Sequence, residues 1–126
     1  MTPGLFVMMV LAGGLGACVR YVVDGAIKAR TKGAAFPWST AIINLTGSLV
    51  LGFLTGLVVG RLASTDVSTV VGTGFLGGYT TFSTASYELV QLVRDQRHGL
   101  AAAYGIGVLA GAVLLALLGY VVGSDL

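Results

Sequence analysis

Apolar residues along this chain neither alternate nor return at helical intervals. They run almost unbroken through four stretches, separated by short turns that carry charge, proline or glycine. A helix that is apolar all round must be enclosed by protein or by lipid, and a hydrocarbon core takes roughly 20 apolar residues per crossing. The pattern predicts an all-α membrane protein with four transmembrane helices over about 5–26, 37–60, 67–93 and 100–122, forming a single transmembrane domain across 1–126. Pro37 and Trp38 open the second stretch, proline suiting a first helical turn and tryptophan the membrane interface. Lys28, Arg30 and Lys32 make the first turn, Arg61 ends the second stretch, and Arg94, Asp95, Arg97 and His98 make the third turn. Four crossings use about 80 to 90 residues, which leaves no room for a soluble domain.

Polar and small residues inside these stretches fall into patterns of their own. Thr40, Asn44 and Ser48 repeat every fourth residue on the second stretch and share a helical face. The repeat continues as Gly52, Gly56 and Gly60, and Gly107/Gly111 and Gly119/Gly123 mirror it on the fourth. Small residues at this spacing allow helix backbones to approach closely in lipid. The hydroxyls of Thr40 and Ser48 fit interhelical hydrogen bonds and function equally. Asn44 points to function, because an uncharged amide can meet a dehydrated anion without trapping it. The third stretch is dense in glycine, threonine and serine from Gly72 to Ser86. These are poor helix formers, so a break is expected near Gly77 to Thr81. Broken backbone at membrane depth is tolerated where it is buried or lines a cavity, and it is a usual mark of an ion site.

Composition and charge narrow the classes. Of 126 residues, 56% are hydrophobic and 10% charged, with a net charge of +2 and no basic face for nucleic acid. The single cysteine excludes a disulfide framework and a Cys/His metal set. Leu15-Gly16-Ala17-Cys18 has the look of a lipoprotein cleavage site, but no Lys or Arg precedes Arg20, so the basic region of such a signal is absent. Arg20 lies within the first stretch with Asp24 four residues on, a spacing that favours an ion pair; snorkelling to the interface is the other reading. Glu88 is the one acid well inside a span, either a functional group or the partner of a neighbouring helix. No nucleophile and base are paired, which argues against an enzyme.

Three segments carry a family resemblance: Gly13-Gly14-Leu15-Gly16-Ala17-Cys18-Val19-Arg20-Tyr21, Asn44-Leu45-Thr46-Gly47, and Gly74 to Thr84, reading Gly-Phe-Leu-Gly-Gly-Tyr-Thr-Thr-Phe-Ser-Thr. On these the chain resembles the Fluc family of bacterial fluoride channels along nearly its whole length. The resemblance implies a multi-pass protein of the bacterial plasma (inner) membrane that passes fluoride passively as an antiparallel, dual-topology-type dimer. It implies a structural sodium ion on the dimer axis, held by the backbone carbonyls of Gly77 and Thr80. It implies a fluoride pathway through Asn44, Phe82, Ser83, Thr84, Thr40 and Tyr104, with Arg20 near the vestibule. The partners implied are thus fluoride, sodium, the lipid bilayer and a second antiparallel subunit, either a second copy or a paralogue.

The sequence also departs from that pattern. Ala85 stands where the family has a second phenylalanine, and Val108 and Ala112 stand where fourth-span hydroxyls are expected. Charge is lopsided too: Lys28, Arg30, Lys32, Arg94 and Arg97 lie on one face, against Arg61 on the other. An antiparallel homodimer needs one sequence to insert both ways, so the bias favours pairing with an oppositely inserted paralogue. The rival readings are a non-conducting partner subunit and a small multidrug antiporter, which would need a first-span carboxylate for which only Asp24 is available. Because Lys and Arg are retained in the cytoplasm, both termini are expected outside it. Reporter fusions at the C-terminus check this: signal from the external reporter alone is expected, and equal signal from internal and external reporters would mean dual insertion.

Overall fold

The computed structural model describes residues 1–126 and contains helices and turns without a strand. Helix α1 spans Pro3–Arg30, α2 Trp38–Val59, α3 65–79, α4 Ser83–Arg94 and α5 His98–Ser124. Of these, α1, α2 and α5 are long and apolar enough to cross a membrane. The first runs 28 residues, about 42 Å at 1.5 Å per residue, and overshoots the predicted limits at both ends for local reasons. The Thr2 hydroxyl accepts the Leu5 N–H at 3.1 Å with Pro3 following in the first turn. At the other end Lys28 and Arg30 complement the exposed carbonyls of the last turn. Helix α2 begins at Trp38, one residue after Pro37, whose fixed φ and missing N–H suit that place.

Between α2 and α5 the chain is not one helix. Ser64 caps α3 by accepting the Val67 N–H, and most of α3, Ser68–Leu76, is wound as a π-helix before a last α-turn at Gly77–Tyr79. Thr80 then leaves helical space at φ −81°, ψ 162°, and α4 starts at Ser83. The expected break therefore exists, displaced to Thr80–Phe82. A second wide turn, Ala103–Gly107, lies in α5. Segments of π-helix cluster at functional sites, and both of these border the cavity described below.

Only 17 of the 126 residues are buried, while large apolar side chains stand exposed along every long helix. That surface is built for lipid rather than water. What holds the helices together is close backbone contact at glycine. On the α2–α5 seam a Cβ at Gly52 would run into the Ala116 carbonyl, one at Gly56 into Tyr120, one at Gly119 into Leu49, and one at Gly123 into Phe53. The seam thus uses four of the seven stripe glycines read from the sequence; Gly60 makes only ordinary contact, Gly111 meets the Leu45 side chain, and Gly107 faces open space. A second seam joins α1 to α3, where Gly16 fits against the Phe75 carbonyl and Gly78 against the Gly13 carbonyl. Where the basic turns meet, Ala41, Leu92, Ala101 and Tyr104 form a small core flanked by Phe36 and Leu89. The Phe36 and Tyr104 rings meet there edge to face at 5.5 Å.

Gly52→Val is expected to force α2 and α5 apart and to destabilise the fold by about 1–3 kcal/mol. Gly25→Ala, where an added methyl meets nothing within 4 Å in the interior of α1, should leave stability unchanged or raise it slightly through helix propensity. Thermal melting followed by size-exclusion chromatography in detergent checks the pair, and coincident melting curves would refute a seam held by backbone contact.

Candidate ion site at the helix break

The break opens onto a groove of about 720 Å³ between α2, α3, α4 and α5. One side chain organises it. Asn44 donates from Nδ2 to the Thr81 carbonyl at 2.7 Å and accepts the Thr81 N–H on Oδ1 at 2.9 Å. The backbone N–H must face the amide oxygen and the carbonyl must face the amide nitrogen, so this pairing also fixes which way the amide points. One Nδ2–H remains on a residue that lines the groove. The sequence predicted Asn44 as an anion ligand; the structure shows it in a structural task, binding both backbone groups that a helix would have used at Thr81.

Around this clamp the remaining groups of the break are satisfied locally or left open. The Thr80 hydroxyl and the Thr80 N–H both donate to the Leu76 carbonyl, at 2.9 Å each. The Thr81 hydroxyl accepts the Thr84 N–H at 3.2 Å and so starts α4. The Ser86 hydroxyl donates to the Phe82 carbonyl at 2.9 Å. Thr81 N–H, the helical donor for the Gly77 carbonyl, goes to Asn44 instead, and the Thr80 carbonyl accepts no hydrogen bond from the chain. The C-terminal end of α3, with its surplus of carbonyls, therefore lies beside the N-terminal end of α4, with its surplus of N–H groups.

Asn44, Gly77, Thr80, Phe82 and Tyr104 all line the groove, together with Ser48. Phe82 is 87% exposed, its ring free of intrachain packing. Thr40, Ser83, Thr84 and Arg20 lie off the groove wall. Thr40 is buried beside the Tyr104 hydroxyl, which in turn donates to Glu88 Oε1 at 3.4 Å. Glu88 thus reaches a hydroxyl on the neighbouring helix rather than a base. The Ser83 hydroxyl is 3.5 Å from that of Thr81. Thr81 and Ser86 were not singled out from the sequence; for Thr81 the available signal was a membrane-buried amide at Asn44, which needs both a donor and an acceptor, and a broken helix that frees one of each.

The ion pair expected between Arg20 and Asp24 does not form. Asp24 binds Lys28 Nζ at 3.1 Å and receives the Ser39 hydroxyl. Arg20 turns across the helix seam and donates from Nε to the Gly78 carbonyl at 3.2 Å. Asp24 has a basic residue one turn away on either side, and Lys28 sits nearer the wet end of α1, whereas Arg20 finds a carbonyl that the break has stripped of its helical donor. The three departures from the family pattern prove to be neighbours: Ala85, Val108 and Ala112 all line the same groove.

Comparison with known proteins places the chain among relatives of similar length. The chain is 44% identical over 124 residues to fluoride-specific ion channel FluC 1 of Leifsonia xyli subsp. xyli, covering 98% of this chain and 90% of that protein. It is 44% identical over 118 residues to fluoride-specific ion channel FluC 1 of Symbiobacterium thermophilum, covering 89% and 95%. It is 37% identical over 121 residues to fluoride-specific ion channel FluC of Thermus thermophilus, covering 96% of each. The family model described as CrcB-like protein, Camphor Resistance (CrcB), spans residues 7–120, and the chain, with its broken third stretch and glycine seams, belongs to that family.

Proposed function

We propose that this chain is a subunit of a fluoride-selective channel that lets fluoride leave the cytoplasm passively across the bacterial plasma membrane. The carrying observation is the clamped break, where carbonyl-rich and amide-rich helix ends meet in a groove lined by Asn44 and Phe82. The names of the relatives support the choice of ion. In this reading α3, the break and α4 make the third of four crossings, since α4 at 12 residues extends only about 18 Å and cannot cross alone. The single domain comprises all of 1–126.

Fluoride is small and strongly hydrated, so a path must replace its water without holding it too tightly. The clamp turns the amide of Asn44 so that its oxygen is engaged and an N–H is left for the anion. Phe82 offers the positive edge of its ring; Tyr104 lines the path with its hydroxyl proton given to Glu88, and Thr40, Ser83 and Thr84 hold further hydroxyls off the groove wall. A sodium ion fits the same break, with the Gly77 and Thr80 carbonyls as its ligands from this chain, because neither carbonyl is served by the helix. Such an ion would supply a fixed positive charge beside the anion path. The channel reading also fits the state of Asp24, which is bound to Lys28 and Ser39, whereas a multidrug antiporter needs a free first-span carboxylate to exchange protons.

A groove open along one side calls for a second subunit, and the lining points to an antiparallel paralogue rather than a second copy. Ala85 on α4 and Val108 and Ala112 on α5 put the missing aromatic and hydroxyl groups in the same groove. Together with the charge bias, this is the pattern of a subunit of fixed orientation whose own contribution to one of two pores has lapsed. The non-conducting partner is the limiting form of the same reading.

Asn44→Ala and Phe82→Ala are each expected to weaken fluoride resistance in cells that lack their own exporter, when expressed with the proper partner. Unchanged resistance for both at equal expression would remove them from the pathway. Fluoride efflux from liposomes holding this chain, the partner or both is expected to be robust only for the mixture, and selective flux from this chain alone would sink the heterodimer.

A further inference from the structure

We infer that Arg20 is a positioning residue for the helix break, acting through its Nε–H on the Gly78 carbonyl rather than through its charge. An arginine within a membrane span ordinarily extends toward the interface. Here the side chain instead turns across the α1–α3 seam to a carbonyl 58 residues away in sequence. Its position on α1 makes that possible. Gly13, Gly16 and Arg20 follow at intervals of three and four and share one face, and the two glycines let α3 approach until Gly78 touches the Gly13 carbonyl. Arg20 closes that same face one turn further on.

The acceptor is available because of the break. In a continuous helix the Gly78 carbonyl would receive the N–H of Phe82; Phe82 lies beyond Thr80, which is extended, and gives no such bond. An unpaired carbonyl at membrane depth is costly. Arg20 meets it from α1, while Asn44 meets both backbone groups of Thr81 from α2. The break is thus braced from two helices at once, Gly78 on one side and Thr81 on the other. Between them lies Thr80, whose carbonyl is left without a hydrogen bond. The brace does not depend on the channel reading. What rests on that reading is its consequence: Arg20 would fix the direction of the carbonyls offered to a cation, without touching either ion.

Two substitutions separate the hydrogen bond from the charge. In Arg20→Gln the side-chain nitrogen stands the same number of bonds from Cα as arginine Nε, so the donor survives and the charge is removed. In Arg20→Met a methyl group takes that position, and both are lost. Hydrogen–deuterium exchange of the full chain in lipid nanodiscs, read over residues 77–84, is expected to stay within about threefold of the parent for Gln. For Met it should quicken by about tenfold, the size of effect that loss of one such bond gives. Equal exchange in the two variants, fast or slow, would overturn the inference, as would protection by Met and not by Gln. Fluoride efflux from liposomes that hold the parent or each variant together with the partner reports the channel reading separately. Absent efflux from the parent with its partner, with the exchange pattern intact, would reject the channel and leave the brace standing.

Discussion

The pairing of one amide with one peptide unit, Asn44 with Thr81, is the contact on which the rest of the site depends. Breaking a helix in lipid exposes donors and acceptors that water cannot serve. Each must be met by the protein or the helix will close again. Asn44 is suited to this because its side chain presents the same donor and acceptor as a peptide group, and it can therefore replace both bonds that Thr81 loses. Aspartate could accept but not donate, and a hydroxyl could not span both groups in this geometry.

That contact requires α2 to lie close to the break; Gly47 permits it, since a Cβ there would run into the Thr80 side chain, and the glycine seams hold the other helices in place. Gly52, Gly56, Gly119 and Gly123 draw α5 onto α2, and Gly13, Gly16, Gly74 and Gly78 draw α1 onto α3. In water such proximity would follow from burying apolar side chains; in lipid those side chains gain nothing by leaving the surface, and backbone packing takes over. The exposed leucines and valines of every long helix are the complement of this economy. Polar groups gather where helices meet: the clamp with its Arg20 brace, the Thr46–Tyr79 pair beside it, the Ser39–Asp24 contact between α1 and α2, and the chain of Thr40, Tyr104 and Glu88 beside the basic turns.

A broken helix offers both signs of partial charge within a few residues. The end of α3 presents carbonyls and the start of α4 presents N–H groups, so the same short segment suits a cation on one side and an anion on the other. Neither requires a formal charge from this chain in the groove, whose lining has no Lys, Arg, Asp or Glu. An ion held by partial charges alone can also leave, which is what conduction requires.

Much of this was legible in the sequence, and the rest was not, for one reason. Unbroken apolar runs set the rough limits of the three long helices α1, α2 and α5, glycine spacing marked the α2–α5 seam, and poor helix formers around Gly77 announced the break, because each is a property of residues near one another along the chain. The exact break at Thr80–Phe82, the use of Asn44 as a clamp, the turn of Arg20 away from Asp24, and the gathering of Ala85, Val108 and Ala112 in one groove all depend on which groups from separate helices come within reach. Arg20 shows the difference most directly: its helical neighbour at four residues made Asp24 the obvious partner, yet the break freed a carbonyl on another helix. The sequence by itself determined the long helices and that the third stretch would not hold as one helix. Only the packing of α1 and α2 against the break decided which side chains would take up the hydrogen bonds that the failure released.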